Sequence, residues 1–429
     1  MFSNDFKETP YWWENCPQPN VNADPIITNH VDVLVVGGGY TGLSAAIQTA
    51  RAGMQTLVID AENVGWGCST RNGGQVSISI KPSFVSLSSR YGAEVAHDIL
   101  KEGHQSLTWT EEFTKAEGIN CDFKVVGRYH AAHNPSQFEK LVKTVGKDPK
   151  GLEQDAYVVP KSEQPNEILS GAYHGGLVYP KHASIDPAKY HAGLLEKAIT
   201  AGAAIRSYCP ATNITRENNG FLIETPKGVL SAKKVILATN GYSGSLSPWH
   251  RRRVIPIGSY VIATEPLPGE LMDRLLPKDR IISDTRKVVY YYRPSPDRTR
   301  IVFGGRVSLG ETNPRLSAPK LYKTLTGVFP ELKDYGISHS WMGFVAYTFD
   351  ELMHCGEDDN LFYAMGYCGS GAGMAGYLGM RIGLKAAGSS EGKTAFDNIP
   401  FETRPFYREN PWFLAPSVLY YKLRDALPL

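Results

Sequence analysis

Val31-Asp32-Val33-Leu34-Val35-Val36-Gly37-Gly38-Gly39-Tyr40-Thr41-Gly42 decides the fold of this chain. Val33 to Val36 is an unbroken apolar run and reads as a buried strand. It meets glycines at 37, 39 and 42, after which Leu43-Ser44-Ala45-Ala46-Ile47 opens a helix of small and apolar residues. Strand, Gly-x-Gly-x-x-Gly and helix in that order suit a dinucleotide. Gly37 allows the tight turn, Gly39 lets the backbone approach a pyrophosphate, and Gly42 lets helix and strand pack closely. The helix start adds unpaired N–H groups and partial positive charge. A second strand, Gln55-Thr56-Leu57-Val58-Ile59, ends on Asp60, 18 residues past Gly42. An acid about 20 residues on is placed to accept hydrogen bonds from an adenosine ribose.

The 429 residues, 42% hydrophobic and 21% charged, suffice for two lobes. A net charge of +2 selects neither nucleic acid nor an anionic membrane. The densest basic run, Arg251-Arg252-Arg253, leads straight into apolar Val254-Ile255-Pro256 and reads as a solvated turn. The six cysteines (16, 68, 121, 209, 355 and 368) lack any Cys-x-x-Cys spacing, so no zinc or dithiol centre is indicated. They fit free thiols in a reducing cytosol. Met1–Pro10 carries Asp5, Lys7 and Glu8 where the apolar core of a leader would stand. No apolar run approaches the roughly 18 residues of a membrane span. The expectation is a cytoplasmic protein with no transmembrane segment, nucleic-acid partner or metal.

Residues 1–30 form an aromatic, proline-rich arm (Tyr11-Trp12-Trp13, Pro17, Pro19), expected to fold over the body. A glycine-rich loop spans 61–84, and helices are expected at 92–117, 136–145 and 186–202, the last opened by Asp186-Pro187. Gly127–Ala132, Ala203–Tyr208, Phe221–Thr225 and Val235–Gly241 read as strands, the last ending in a small-residue turn. Ser259 to about Arg306 is rich in β-branched and aromatic residues and predicts a second sheet. Leu361–Met365 is one more strand. It leads into Gly366-Tyr367-Cys368-Gly369-Ser370-Gly371-Ala372-Gly373 and a helix from Met374 to about Ala387. This late loop again sets bare N–H groups at a helix start, suited to an anionic or electron-rich group. It reads as a second nucleotide site, as a glycine hinge, or most economically as the far end of one large cofactor.

These segments together carry a family pattern. The first glycine loop, then Gly65-Trp66-Gly67-Cys68-Ser69-Thr70-Arg71-Asn72-Gly73-Gly74-Gln75, resembles the FAD-dependent D-amino-acid-oxidase-type superfamily. The Arg-Asn-Gly-Gly loop looks most like its γ-glutamylputrescine oxidoreductase group. Val235–Ser243, Ser259–Leu267, Val302–Arg306 and the 366–373 loop extend the resemblance over roughly residues 30 to 425. It implies an α/β fold: a discontinuous, Rossmann-like FAD-binding domain (1–90, 165–245, 345–429) and a mixed-sheet substrate domain (91–164, 246–344). It implies Gly37, Gly39 and Gly42 on the pyrophosphate and Asp60 on the ribose. Arg71, Asn72, Gly73 and Gly74 would lie beside the flavin, with Gly369, Gly371 and Gly373 at the far edge of its ring. Tyr40, Thr41, Ala61, Thr70, Ala238, Thr239, Asn240, Gly241 and Met374 complete the expected cofactor set.

Two departures narrow the chemistry. Relatives resembling monomeric sarcosine oxidase bond their flavin through a cysteine near Met342-Gly343-Phe344, where this chain has Gly343. Non-covalent FAD is therefore expected. Those relatives also hold a substrate carboxylate with a late-loop lysine, and Gly373 stands there instead. Their oxygen-activating lysine falls near Gly305-Arg306. The expected reaction oxidises an amine, favoured as a γ-glutamyl-polyamine-like one, to an imine that water hydrolyses, with electrons passing to oxygen or a quinone. A D-, N-methyl or cyclic amino acid is the alternative substrate, and a non-catalytic flavin-binding subunit the alternative of another class.

Candidates for the substrate wall come from the second sheet. In Tyr290-Tyr291-Tyr292-Arg293, alternation sets Tyr290 and Tyr292 on one face and Tyr291 on the other. Tyr260, Tyr290 and Tyr292, with Arg306 as the nearby cation, are taken as the wall. His130 and His133 stand three apart on a strand, so they point to opposite faces and cannot share a metal. Cys68 reads as an inert small thiol. The amphipathic Val418–Arg424 reads as a segment docked on its own body.

Overall fold

The computed structural model describes residues 1–21, 29–306, 312–408 and 411–426. The segment 22–28 of the expected arm lies outside them. Two sheets dominate. The first has eight strands among the described residues. Its parallel part runs Ala204–Arg206, Thr56–Ile59, His30–Val36, Gly228–Leu237 and Leu361–Met365. Their stretches Val33–Val36, Thr56–Ile59 and Val235–Leu237 are buried throughout, as the apolar runs require. The helix Tyr40–Arg51 follows the first glycine loop, and Gly371–Ala386 follows the late one. These two helices pack closely because glycines face the contact. A Cβ on Gly379 would lie 2.4 Å from Thr41 O, and one on Gly383 2.6 Å from Ala45 O.

The second sheet has nine strands in the order Phe2–Lys7, Ile337–Tyr347, Ile255–Thr264, Ile301–Gly305, Tyr290–Pro294, Ile281–Asp284, Arg128–Ala131, Gly176–Tyr179 and Tyr157–Val159. Its outer face packs Tyr129, Tyr260, Ile262, Tyr292 and Phe303 in one core with residues of the helices Gly269–Leu275 and Pro314–Val328. Its inner face packs Val261, Ala263, Val302 and Trp341 against Tyr11, Trp12 and Ala188. A small sheet of Gln75–Val76, Ala183–Ser184 and Lys124–Val125 ties the two lobes together.

Two strands sit apart from the expected division. Phe2–Lys7 pairs with Ile337–Tyr347, and Gly176–Tyr179 pairs with Arg128–Ala131, so both belong to the nine-stranded sheet. Strand periodicity reports that a segment is a strand but not which sheet it joins. The cap at Asp186 is as expected: its Oδ1 accepts from the N–H groups of Ala188 (2.9 Å) and Lys189 (3.0 Å). The C-terminal helix Leu414–Ala426 docks on the body. The Asp425 carboxylate accepts from the N–H groups of Lys287 (2.8 Å) and Val288 (3.0 Å). No helix among the described residues is long and apolar enough to cross a membrane.

Candidate active site between the two sheets

The first glycine loop is shaped by backbone contacts. Gly37 sits at φ +105°, and a Cβ there would lie 2.9 Å from Ala238 O. A Cβ on Gly42 would lie 1.9 Å from Gly37 O. Gly39 precedes the helix without a capping side chain of its own. Instead Ser69 Oγ accepts the Tyr40 N–H at 3.0 Å. The Tyr40 hydroxyl donates to Pro187 O (2.9 Å) and Thr41 Oγ1 meets Tyr367 OH (2.6 Å), so both side chains are engaged away from the loop. What this turn offers a ligand is backbone N–H.

Asp60 stands at the end of its strand, beside the loop. Its Oδ2 accepts the Gly38 N–H (2.7 Å) and its Oδ1 the Glu62 N–H (3.0 Å). Burial pushes this acid up to about 6, against the lowering effect of those N–H groups. Ala61, next to it, is exposed.

The loop 65–75 is laced from within and from the N-terminal arm. Asn72 Nδ2 donates to Cys68 O (3.2 Å) and Ser69 O (2.9 Å), while its Oδ1 accepts the Gly74 N–H (2.9 Å). Trp12 Nε1 donates to Asn72 O (2.9 Å), and Trp13 Nε1 to Thr70 Oγ1 (3.0 Å). The Arg71 guanidinium lies over the rings of Trp13 (5.0 Å) and Trp66 (4.4 Å). Gly73 and Gly74 let the lobes meet: a Cβ would reach 2.7 Å from the Tyr291 ring at one and 2.3 Å from Ile185 O at the other. Burial pushes the Cys68 thiol up to about 11, which keeps it protonated and unreactive.

The late loop closes the site. Gly366 and Gly369 take positive φ, and Asn240 Oδ1 accepts the Gly366 N–H (2.9 Å), joining the Ala238–Gly241 turn to this loop. Thr239 Oγ1 meets Ser243 Oγ at 2.8 Å, and Gly241 packs near Phe344. Ser370 precedes the late helix but does not cap it; its hydroxyl donates to Ser79 O (2.5 Å). The first-turn N–H groups of Gly371, Ala372 and Gly373 are therefore left without a capping side chain. Met374 is buried in the core. A Cβ on Gly373 would lie 3.2 Å from Val76 Cγ1.

The expected tyrosine wall needs correction. Tyr260 and Tyr292 are fully buried on the outer face. Tyr292 stacks on Phe303 (5.2 Å) and donates to Tyr173 OH (3.1 Å), and Tyr260 OH accepts the Thr312 N–H (2.8 Å). Tyr290 packs against Phe303 on the same face, with ring centroids 5.7 Å apart. These three are framework residues of the sheet. Alternation does separate Tyr291 from its neighbours, and Tyr291 is the one that faces the loops. It lines up through Gly304 and Val261 with Trp341 on the inner face, and its hydroxyl meets Ser259 Oγ at 2.9 Å. The sequence carried a signal for this. Gly304 stands opposite Tyr291, where a Cβ would lie 2.3 Å from the ring, so the ring needs a bare neighbour. Arg306 lies two residues beyond and donates to Gly258 O (3.0 Å).

Other site features escaped the sequence reading. Lys81 Nζ stands over the Tyr347 ring at 5.2 Å, and a Cβ on Gly369 would lie 3.9 Å from Tyr347 OH. His130 and His133 do not converge: one meets Ser283 Oγ (2.9 Å), the other Thr285 Oγ1 (2.7 Å). Among the described residues, no group of three or more His, Cys, Asp or Glu is arranged to hold a metal ion.

Two glycine-rich helix starts at the ends of parallel strands of one sheet, the first with a strand-end acid beside it and the second without a capping side chain, fit the two ends of FAD. Comparison with known proteins agrees. Residues 32–383 match the DAO family model, FAD dependent oxidoreductase. The chain is 32% identical to gamma-glutamylputrescine oxidoreductase of Escherichia coli (strain K12), covering 92% of this chain and 93% of that protein. It is 30% identical to the probable oxidoreductase OrdL of Rhizobium meliloti (strain 1021), covering 97% of each. The fold is similar to that of glycine oxidase from Geobacillus kaustophilus, with a TM-score of 0.74 at 20% identity, covering 88% of this chain and 99% of that one. The chain belongs to the DAO family of FAD-dependent oxidoreductases.

Proposed function

We propose that this enzyme oxidises the C–N bond of an amine whose polar or carboxylate-bearing tail lies away from the reacting carbon, as in γ-glutamylated polyamines. The observation that carries this reading is where the cations lie. The late loop has Gly373 packed on Val76, while Lys81 and Arg128 stand farther along the loop 77–81 and the inner face of the sheet. The name of the Escherichia coli relative supports the same class.

The eight-stranded lobe would hold FAD and the nine-stranded lobe the substrate. Gly37, Gly39 and Gly42, with the backbone N–H of Thr41, would hold the pyrophosphate, beside Tyr40, whose N–H is taken by Ser69 Oγ. Asp60 and Ala61 would meet the ribose. Thr70, Arg71, Asn72, Gly73, Gly74 and the Ala238–Gly241 turn would flank the flavin. Gly369, Gly371 and Gly373 would offer backbone N–H groups to the far edge of the ring, with Met374 behind them, its N–H donated to Ser370 O (3.1 Å). Bound FAD would supply a two-electron acceptor, and oxygen or a quinone would be the final acceptor. The substrate loses a hydrogen with its electron pair from the carbon and a proton from the nitrogen. Water adds to the resulting imine and releases a carbonyl product and the shortened amine or ammonia. Tyr291, kept neutral because burial raises its phenol above the ordinary value, and Tyr347 wall the amine between ring and sheet.

Long-tailed amines such as γ-glutamylputrescine should bleach the flavin faster than sarcosine or glycine at equal concentration without oxygen. Faster bleaching by sarcosine would move the protein to the small amino-acid oxidases, and no bleaching by any amine would make it a flavin-carrying subunit.

FAD should also be free of any covalent link. A side chain at Gly343 would press on Arg71 Cβ (3.2 Å) and Cys68 Cβ (3.3 Å), and Cys68 itself is a protonated thiol. Acid precipitation should leave the yellow colour in the supernatant. Colour retained in a washed pellet would show a bond.

A further inference from the structure

Arg128, on the strand Arg128–Ala131, presents a cation with no acid beside it. Its Nε donates to Ser283 Oγ (2.8 Å), one Nη to Ser79 Oγ (3.1 Å) and the other to His130 Nδ1 (3.2 Å). Guanidinium has no acceptor, so His130 Nδ1 must accept, which leaves the ring proton on Nε2. No carboxylate among the described residues forms an ion pair with Arg128. His182 lies close by. Its ring stacks on Tyr179 at 5.3 Å, and the Arg128 guanidinium lies 5.7 Å from the centre of the same ring. His182 is 2% exposed, and neither of its ring nitrogens has a hydrogen-bond partner.

Such a group of residues is unusual unless something joins it. Buried arginines are ordinarily paired, and a buried imidazole ordinarily uses at least one nitrogen. Arg128 and His130 keep part of their surface accessible. Yet protein surrounds both closely enough that burial lowers the pKa of each. Burial, with the guanidinium adding to it, pushes both His130 and His182 down to about 3, so the imidazoles are neutral and Arg128 is the charge of this group.

The position relative to the late loop follows from Ser79. Its carbonyl accepts from Ser370 at the start of the late helix, and its hydroxyl accepts from Arg128. One residue thus separates the loop expected at the flavin from the guanidinium. His130 also lies in the same inner-face row as Ser283 and Tyr291. A group bound at Arg128 is therefore several bonds away from an atom reacting against Tyr291.

We propose that Arg128, with His130 and His182 beside it, binds a carboxylate at the far end of the amine substrate and so sets which amines the enzyme accepts. The fork of the guanidinium matches a carboxylate, and the neutral imidazoles add donors without a competing charge. This rests on the amine-oxidising reading above. It names the tail, and it assigns the recognition to a strand residue instead of the late loop.

Two measurements on the FAD-loaded protein separate the two ideas. Glutarate titrated calorimetrically should bind the wild type, and Arg128→Met should weaken it by at least about 30-fold, the scale for losing one partner of a buried charge pair. Anaerobic flavin reduction should then favour 5-aminovalerate over pentylamine, and Arg128→Met should cut that preference by a similar factor. His182→Phe, which keeps the stack on Tyr179 but loses the nitrogens, should weaken glutarate several-fold and serves if the arginine variant does not fold. Equal glutarate binding by wild type and either folded variant overturns the site, whatever the turnover. Glutarate binding that depends on Arg128, with no amine reducing the flavin, keeps the carboxylate site and removes the amine reading.

Discussion

Gly42→Ala should purify as a folded protein without flavin colour. The added methyl would lie 1.9 Å from Gly37 O and 3.1 Å from Val35 Cγ1, and the first of these is backbone of the very turn meant to hold the pyrophosphate. A flexible side chain swings aside at little cost; a carbonyl fixed between strand and helix does not. Overpacking of this kind costs about 1–3 kcal/mol or more. Relief comes from lifting the helix start away from the turn, which also moves its N–H groups off the ligand. FAD affinity should fall at least about 30-fold, equivalent to roughly 2 kcal/mol. The check is flavin absorbance per mole after gel filtration, with circular dichroism to confirm the fold. A fully yellow variant would show that the first glycine loop does not hold the cofactor.

Asp60→Ala should weaken FAD about 10- to 100-fold, because hydrogen bonds to a charged acceptor contribute roughly 1.5–3 kcal/mol. The buried acid also predicts a pH signature. Its pKa without ligand is raised from 3.8 to about 6, so the folded protein takes up a proton that the unfolded chain has already lost. The stability contributed by that proton is full below about 4 and is lost as pH rises through about 6. Without FAD, the wild type should therefore lose melting temperature relative to Asp60→Asn over this window. FAD affinity should move the other way, since ribose hydroxyls donate better to the ionised form. Thermal shifts at pH 5 and 7.5, with and without FAD, check both signs. An Asp60→Ala variant with unchanged affinity would reduce Asp60 to the staple of Gly38 and Glu62.

The eight-stranded lobe was readable because its signals are local. Val33–Val36, three spaced glycines and Asp60 lie within one strand–helix–strand unit, and Asp186-Pro187 announces a helix that Asp186 does cap. The large sheet was readable as strands but not as faces. Alternation in Tyr290–Tyr292 gives two faces, and only the helices at Gly269–Leu275 and Pro314–Val328 decide which is core. The missed features are all long-range. Trp12 and Trp13 reach a loop beyond residue 65, and Arg128 and His182 lie on separate segments brought together on Tyr179. No pattern in either segment alone announces its partner.

The strand Phe2–Lys7 pairs in parallel with Ile337–Tyr347, Phe2 opposite Ile337. Its register partner is thus made 335 residues later. At roughly 5–20 residues per second, this strand waits on the order of 20–70 s for that partner. Until then Phe2–Lys7 lacks the strand it pairs with. The edge of the nine-stranded sheet at Phe2–Lys7 can therefore form only after Ile337–Tyr347 has emerged, so this sheet is completed late in synthesis although one of its strands is made early.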